Sequence, residues 1–384
     1  MTLPNPRTVL VVTGSRGEWG YLRPILRRMK DGTGLVPKLV ATNMHLLPEF
    51  GSTANEILAD GFSIDDGLYM ALDGSTGASM SKSLGVFLLS ITDTLNRIRP
   101  DVVLIAGDRG EQLMAALAAA HLNIPVAHIQ AGEVSGNIDG QTRHAIARYA
   151  HIHFAANQDA ADRLARSGEQ DFRILNVGAP QLDDFVDGDY LQPAEVYARF
   201  HLDPTAPIVL FAQHPVTEQL TEAGDQIEQS LLALKEIGHQ TVLIYPNNDA
   251  GSALVRAKIN QFQAPWLHVE RSVARADYAG LMRVASVIVG NSSSGLLEAP
   301  TFELPAINIG RRQEGRVQGK NVIQAPHDTN AIAAAIRRAI GPEFRATLKG
   351  MANPYGDGRA SERIVKALLE IPIDERLLFK KLTY

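Results

Sequence analysis

The chain has 384 residues, long enough for two domains of ordinary size, each with its own core. Charged residues make up 21% and the formal net charge is −5, so no basic field argues for nucleic acid or for an anionic membrane surface. The absence of cysteine excludes disulfides, thiolate metal sites and a cysteine nucleophile, and it fits a reducing compartment. The N-terminal stretch MTLPNPRTVLVVTG carries a short apolar run without the layout of a signal peptide. No apolar stretch is long enough to span a bilayer, so a soluble, cytoplasmic protein is expected.

Val9–Thr13 is a continuous apolar run, as expected of a strand buried on both faces of a parallel sheet. Gly14-Ser15-Arg16-Gly17-Glu18 breaks it, and a helix follows to about Lys30; Pro24 fits only if that helix starts near Tyr21. Leu35–Ala41 is the next strand. Residues 43–80 are rich in Gly, Ser and Asp and read as an active-site loop, and Gly85–Ile98 reads as a helix. Val102–Ala106 is the clearest buried strand and ends in Gly107-Asp108-Arg109. A helix from Glu111 to His121 returns to a strand at Pro125–Ile129, which ends in Gln130-Ala131-Gly132-Glu133. Asp139 is placed as the cap of a helix reaching Tyr149, and His151–Ala155, Asn157–Ser167 and Phe172–Val177 extend the alternation.

The sequence turns acidic around Asp183–Pro193, and Pro204 and Pro207 precede a fresh strand, Ile208–Ala212, so a domain boundary is expected near 187–200. The second half continues the same alternation, with strand 241–245, helix 250–262, strand 266–269 and helix 277–284. Val287–Gly310 then reads strand, polar turn, short helix, strand, and helices follow at 328–340 and 359–370. The expected architecture is α/β, with two Rossmann-like doubly wound domains at 1–187 and 188–364. Such a pair holds its ligand in the cleft between them, at the carboxyl ends of the strands.

The residues able to do chemistry cluster at those strand ends. Asn291-Ser292-Ser293-Ser294-Gly295 opens a helix, where free N–H groups and small side chains suit a phosphate; capping of the helix alone is the plainer reading. Arg311, Arg312, Arg316 and Lys320 form a dense basic cluster nearby, and arginine's fork matches phosphate. Arg16, Asp108, Arg109, His128, Gln130, Glu133, Asp139, Arg143 and His214 sit at or just beyond other strand ends. Taken singly, Asp108 reads as a helix-start residue and His128 as a hydrogen-bonded core histidine. His151 and His153 alternate on one strand face without a third ligand and are read as structural.

Together, GDRGEQ (107–112), HIQAGEVSGNIDGQTRHAI (128–146), QHPV (213–216) and GNSSSGLLEAP…INIGRRQEGRVQGKNVI (290–323) resemble the hydrolysing UDP-N-acetylglucosamine 2-epimerases. The resemblance runs in collinear order from Val9 to Ile323. It includes the enzymes of bacterial sialic-acid and legionaminic-acid synthesis. It implies the two-domain glycosyltransferase-B fold, with the C-terminal helix, 365–384, crossing back to the first domain. The non-hydrolysing epimerases are more distant: they carry His-Arg-x-Glu where this chain has His214-Pro215-Val216-Thr217, and Ser-Gly-Gly where it has Ser292-Ser293-Ser294.

The implied chemistry is loss of the C2 proton and of UDP from UDP-N-acetylglucosamine, giving a 2-acetamidoglycal. Water then adds with the opposite C2 configuration, releasing N-acetylmannosamine. No carbonyl adjoins C2, so the departing diphosphate must absorb the charge. The resemblance assigns Asp108, Glu133, Asp139 and His214 to catalysis. It assigns Arg16, Arg109, His128, Gln130, Arg143, Ser292, Ser293, Ser294, Glu298 (ribose) and Arg312 to substrate binding. Some relatives carry an acid at the place of Gln130 and a second Asp at the place of Gly140; a mechanism needing an acid at 130 fails here. No nicotinamide or metal motif is present, and the chemistry needs no cofactor. A UDP-sugar substrate and a homo-oligomer, dimer or tetramer, are expected. The alternatives are the same reaction on a UDP- or GDP-linked 2,4-diacetamido-2,4,6-trideoxy sugar, a glycosyltransferase on the shared fold, and an inactive nucleotide-sugar sensor.

Overall fold

A computed structural model describes residues 6–30, 34–73, 76–136, 138–246 and 249–384; Met1–Asn5 of the N-terminal stretch and Asn137 of the 128–146 motif lie outside it. Among the described residues the strands form two parallel sheets. The first contains β1 (Arg7–Thr13), β2 (Leu35–Thr42), β3 (Asp66–Leu68), β4 (Val102–Ala106), β5 (Val126–Ala131), β6 (Ile152–Ala155) and β7 (Ile174–Asn176), in the order β3-β2-β1-β4-β5-β6-β7. The second contains β8 (Ile208–Ala212), β9 (Gln240–Ile244), β10 (Leu267–Glu270), β11 (Val287–Gly290), β12 (Ala306–Ile309) and β13 (Val322–Ala325), in the order β10-β9-β8-β11-β12-β13. Every residue of β4 and β8 is buried, which is why both read as unbroken apolar runs. In each sheet the chain winds outward both ways from one strand, β1 or β8. The order therefore reverses between β1 and β4 and between β8 and β11, and a crevice opens at the carboxyl ends of those pairs.

The first helix spans Arg16–Lys30 and carries Pro24 in its interior, so the expected start near Tyr21 is wrong. The reason is a cap that the proline obscured. Glu18 accepts from the N–H groups of Gly14 (2.5 Å) and Ser15 (3.1 Å), while Ser15 Oγ accepts from the Glu18 N–H at 3.4 Å. One lost i→i−4 bond at Pro24 is offset by burial of Trp19, Leu22, Ile25 and Leu26 in the core of the first sheet. The 43–80 stretch contains short turns, a helix at Ala54–Ala59 and β3. The helix expected from Gly85 already begins at Gly77, where Thr76 and Ser79 cap each other. Ser81 and Ser83, which look like breakers, donate instead to the carbonyls of Gly77 and Ser79. Asp139 lies inside the first turn of the helix Ile138–Tyr149 rather than at its cap. The helix Ala223–Ile237, unassigned from the sequence, covers the second sheet.

The last long helix is Ala360–Glu370, and Ile364, Val365 and Leu368 pack into the first sheet's core beside Val9 and Leu22. The tail then runs along that lobe. Arg173 donates to the carbonyls of Leu377 (2.7 Å) and Arg376 (2.9 Å), and Lys380 donates to those of Ala147 and Ala150 (2.7 Å each). None of the described helices is long and apolar enough to cross a membrane.

Candidate active site

The two crevices face each other, and residues from both line one cavity of about 210 Å³. β1 delivers Ser15 and Arg16, β4 delivers Asp108 and Arg109, β8 delivers His214, and β11 delivers Ser292, Ser293 and Ser294. Asp139, Glu298 and Arg312 complete the set.

The serine turn depends on Gly290, whose φ is +132° and where a Cβ would lie 2.0 Å from the Ala212 carbonyl oxygen; any side chain would push β11 off β8. Asn291 then ties three segments together. Its side chain accepts from the His214 N–H at 2.7 Å and donates to the His214 carbonyl at 2.8 Å, while its own carbonyl accepts from Gln313 (2.8 Å) and Arg312 (3.3 Å). Ser294 Oγ meets the Tyr278 hydroxyl at 2.5 Å and Ser292 Oγ at 3.0 Å. The helix that follows is a single turn, Ser294–Leu297, so its macrodipole is small and anion attraction falls to nearby N–H groups and arginines. Glu298 accepts from Arg275 at 2.9 Å.

The two aspartates differ in proton affinity. Burial favours the neutral form of Asp108, but Arg143, Arg316, Arg312 and Arg109 together outweigh it and hold the carboxyl below its ordinary value. Arg143 hydrogen-bonds it directly, and Arg316 reaches to 3.7 Å. Asp139 is raised to about 6 by burial and by the like charges of Asp108 and Asp249, with Arg312 at 3.9 Å opposing. One carboxylate thus stays ionised while its neighbour exchanges a proton near neutral pH, a pairing suited to acid–base work. His214 is lowered to about 3, by burial first and then by Arg312, so its imidazole is neutral.

Contacts between the lobes rim the cavity. Arg109 bridges Glu111 (3.1 Å) and Asp249 (3.0 Å), Arg16 donates to Ser272 Oγ (2.8 Å), and the Arg275 N–H donates to Glu56 (2.8 Å). The Gly136 N–H donates to the Arg312 carbonyl at 3.0 Å and Arg316 to the Val134 carbonyl at 2.7 Å.

Of the residues expected from the sequence, Glu133, His128, Gln130 and Arg143 are buried and do not line the cavity. Glu133 accepts from Asn157 at 2.5 Å, His128 contacts the Gly107 carbonyl at 2.7 Å, and Gln130 turns toward Gln181 at 3.4 Å. Arg143 acts from behind, holding Asp108 and the Gln130 carbonyl. Within the basic cluster only Arg312 faces the cavity; Arg311 and Lys320 are exposed. The sequence reading missed Tyr278, Arg275, Glu56 and Val273 in the lining, and Asp249 as the partner of Arg109. The polar run Asn247-Asn248-Asp249 after β9 was a signal for the last of these. Among the described residues no three His, Asp or Glu side chains are grouped to hold a metal.

A family model described as UDP-N-acetylglucosamine 2-epimerase matches residues 27–369. A Legionella pneumophila protein named UDP-N,N'-diacetylbacillosamine 2-epimerase (hydrolyzing) is 36% identical, over 97% of this chain and 98% of its own length. A Neisseria meningitidis UDP-N-acetylglucosamine 2-epimerase is 32% identical over 87% of each chain. The crystal structure of UDP-GlcNAc 2-epimerase from Neisseria meningitidis bound to UDP-GlcNAc superposes with a TM-score of 0.81 at 21% identity, over 95% of this chain and 100% of that one. The fold is therefore of the glycosyltransferase-B type.

Proposed function

We propose, from the premise that this chain belongs to the UDP-N-acetylglucosamine 2-epimerase family, that it is a hydrolysing 2-epimerase of a UDP-linked 2-acetamido sugar. The observation that carries this reading is the pair Asp108 and Asp139, unlike in proton affinity, on a cavity that also holds the serine turn, Arg16 and Arg312.

In the first step the Asp139 carboxylate takes the C2 proton, the C1–O bond breaks, C1=C2 forms and UDP departs. Asp139 is the stronger base of the two, and a base of pKa near the working pH is the more effective one. Arg16, Arg312 and the serine turn bind the diphosphate as its charge grows, and neutral His214 donates an N–H to it. In the second step water adds its oxygen to C1, Asp108 takes a proton from that water and delivers it to C2 on the face opposite Asp139, and Asp139 releases the proton it took to solvent. Glu298 holds the ribose. The product is N-acetylmannosamine or a relative, a precursor for nonulosonic acids, and the protein acts in the cytoplasm as a homo-oligomer.

A second reading keeps the chemistry and changes the sugar to the 2,4-diacetamido-2,4,6-trideoxy form, which the name of the Legionella relative favours. Incubation with sugar nucleotides in deuterated water, followed by NMR, tests both. One deuterium at C2 and one free UDP per sugar released are expected. Retention of the product on UDP, or turnover only with an added acceptor, would overturn the proposal.

A further inference from the structure

Arg275 lines the cavity, yet the proposed steps give it no task. It opens the helix Arg275–Val284, and its side chain is fixed on every side. Nη1 donates to Glu298 at 2.9 Å, Nη2 donates to the Gln181 carbonyl at 3.0 Å, and Nε lies 3.8 Å from Asp184. The main-chain N–H of Arg275 donates to the Glu56 carboxylate at 2.8 Å. The guanidinium stands 4.6 Å from the centre of the Phe185 ring, and a Cβ on Gly20 of the first helix would touch it at 3.6 Å. A planar fork held at this many points cannot follow a neighbour that moves, so Glu298 takes its orientation from Arg275.

Glu298 follows the serine turn by one short helix, Ser294–Leu297, a rise of roughly 6 Å from Ser294. A nucleotide ribose hangs from its diphosphate by C5′, with the 2′- and 3′-hydroxyls on the edge of the ring away from that carbon. A diphosphate on the serine turn therefore carries those hydroxyls toward Glu298. A bare carboxylate there would repel the diphosphate and would be free to rotate. Paired with Arg275 it loses most of its repulsion and keeps one orientation, in which it still accepts from a hydroxyl.

We infer that Arg275 is a positioning residue that sets Glu298 to select a ribonucleotide over a 2′-deoxyribonucleotide. This rests on the reading of the cavity as a UDP-sugar site with the ribose at Glu298. Calorimetry compares UDP with 2′-deoxyUDP in the wild type, Arg275→Gln and Arg275→Lys, because the ratio of the two dissociation constants cancels any general loosening of the diphosphate site. Thermal unfolding identifies the variants that fold. The wild type should prefer UDP by roughly 10- to 100-fold, and Arg275→Gln should bring the two nucleotides within about threefold. Arg275→Lys should fall between, since one ammonium group cannot span both Glu298 and the Gln181 carbonyl as the fork does. A wild type that binds the two nucleotides alike, or a folded variant that keeps the wild-type preference, would overturn the inference and leave the epimerase reading standing. A wild type that fails to bind UDP would overturn both.

Discussion

Gly136→Ala asks whether turnover requires the lobes to meet as they do here. The Gly136 N–H donates to the Arg312 carbonyl at 3.0 Å, and a Cβ on Gly136 would lie 1.9 Å from the Arg311 carbonyl oxygen. Carbon and oxygen settle no closer than about 3.3 Å, so the two loops must part by roughly 1.4 Å. Both partners are main chain, and neither can swing aside. That separation breaks the Gly136–Arg312 bond and the neighbouring Arg316–Val134 bond of 2.7 Å, and it draws Arg312 out of the cavity. One neutral bond and one from a guanidinium together contribute about 2–4 kcal/mol, so kcat/KM should fall roughly 30- to 1,000-fold. Displacing a binding group by about 1 Å leads independently to a loss near 100-fold. A continuous UDP-release assay measures the loss, and thermal unfolding checks that each lobe remains folded. A variant with kcat/KM within about threefold of wild type would refute the requirement for this contact.

Three further outcomes follow from the same geometry. Asp139, raised to about 6, serves as base only when ionised, so kcat/KM should rise with pH through about 6 and level off above it. The limb belongs to the coupled Asp139, Asp108 and Asp249 cluster, and a flat profile between pH 5 and 8 would remove Asp139 as the base. Asp108→Asn should retain UDP affinity and lose about 10²- to 10⁴-fold in turnover; unchanged turnover would take Asp108 out of the mechanism. Arg312→Ala should weaken UDP binding by about 1.5–3 kcal/mol, roughly 10- to 150-fold, and an unaltered dissociation constant by calorimetry would place the phosphate elsewhere.

The strands were legible because β4, β8 and the Val9–Val12 stretch of β1 are unbroken apolar runs, and their polar ends marked the places where function gathers. What sequence position could not convey was direction. Gln130 ends β5 at a register shift between Ile129 and Ala131, and its φ of +62° turns the side chain to Gln181 instead of the cleft. Glu133 and Arg316 turn from the cavity for a related reason, since each is held by a partner elsewhere along the chain, Asn157 and Val134. Tyr278 and Arg275 sit at no strand end; they enter the lining because the helix Arg275–Val284 starts beside the serine turn. Pro24 misled for the opposite reason, as a local rule about breakers outweighed a cap only three residues wide.

The contacts around the rim, from Arg16–Ser272 to Arg109–Asp249 and Gly136–Arg312, are all polar, individually modest and widely spaced. An anion bound in the cavity they rim would be freer to leave once several have let go. Under the proposed reaction, departure of UDP would need the lobes to move against solvent drag, and thickening the medium with sucrose would then slow multiple turnovers more than the first.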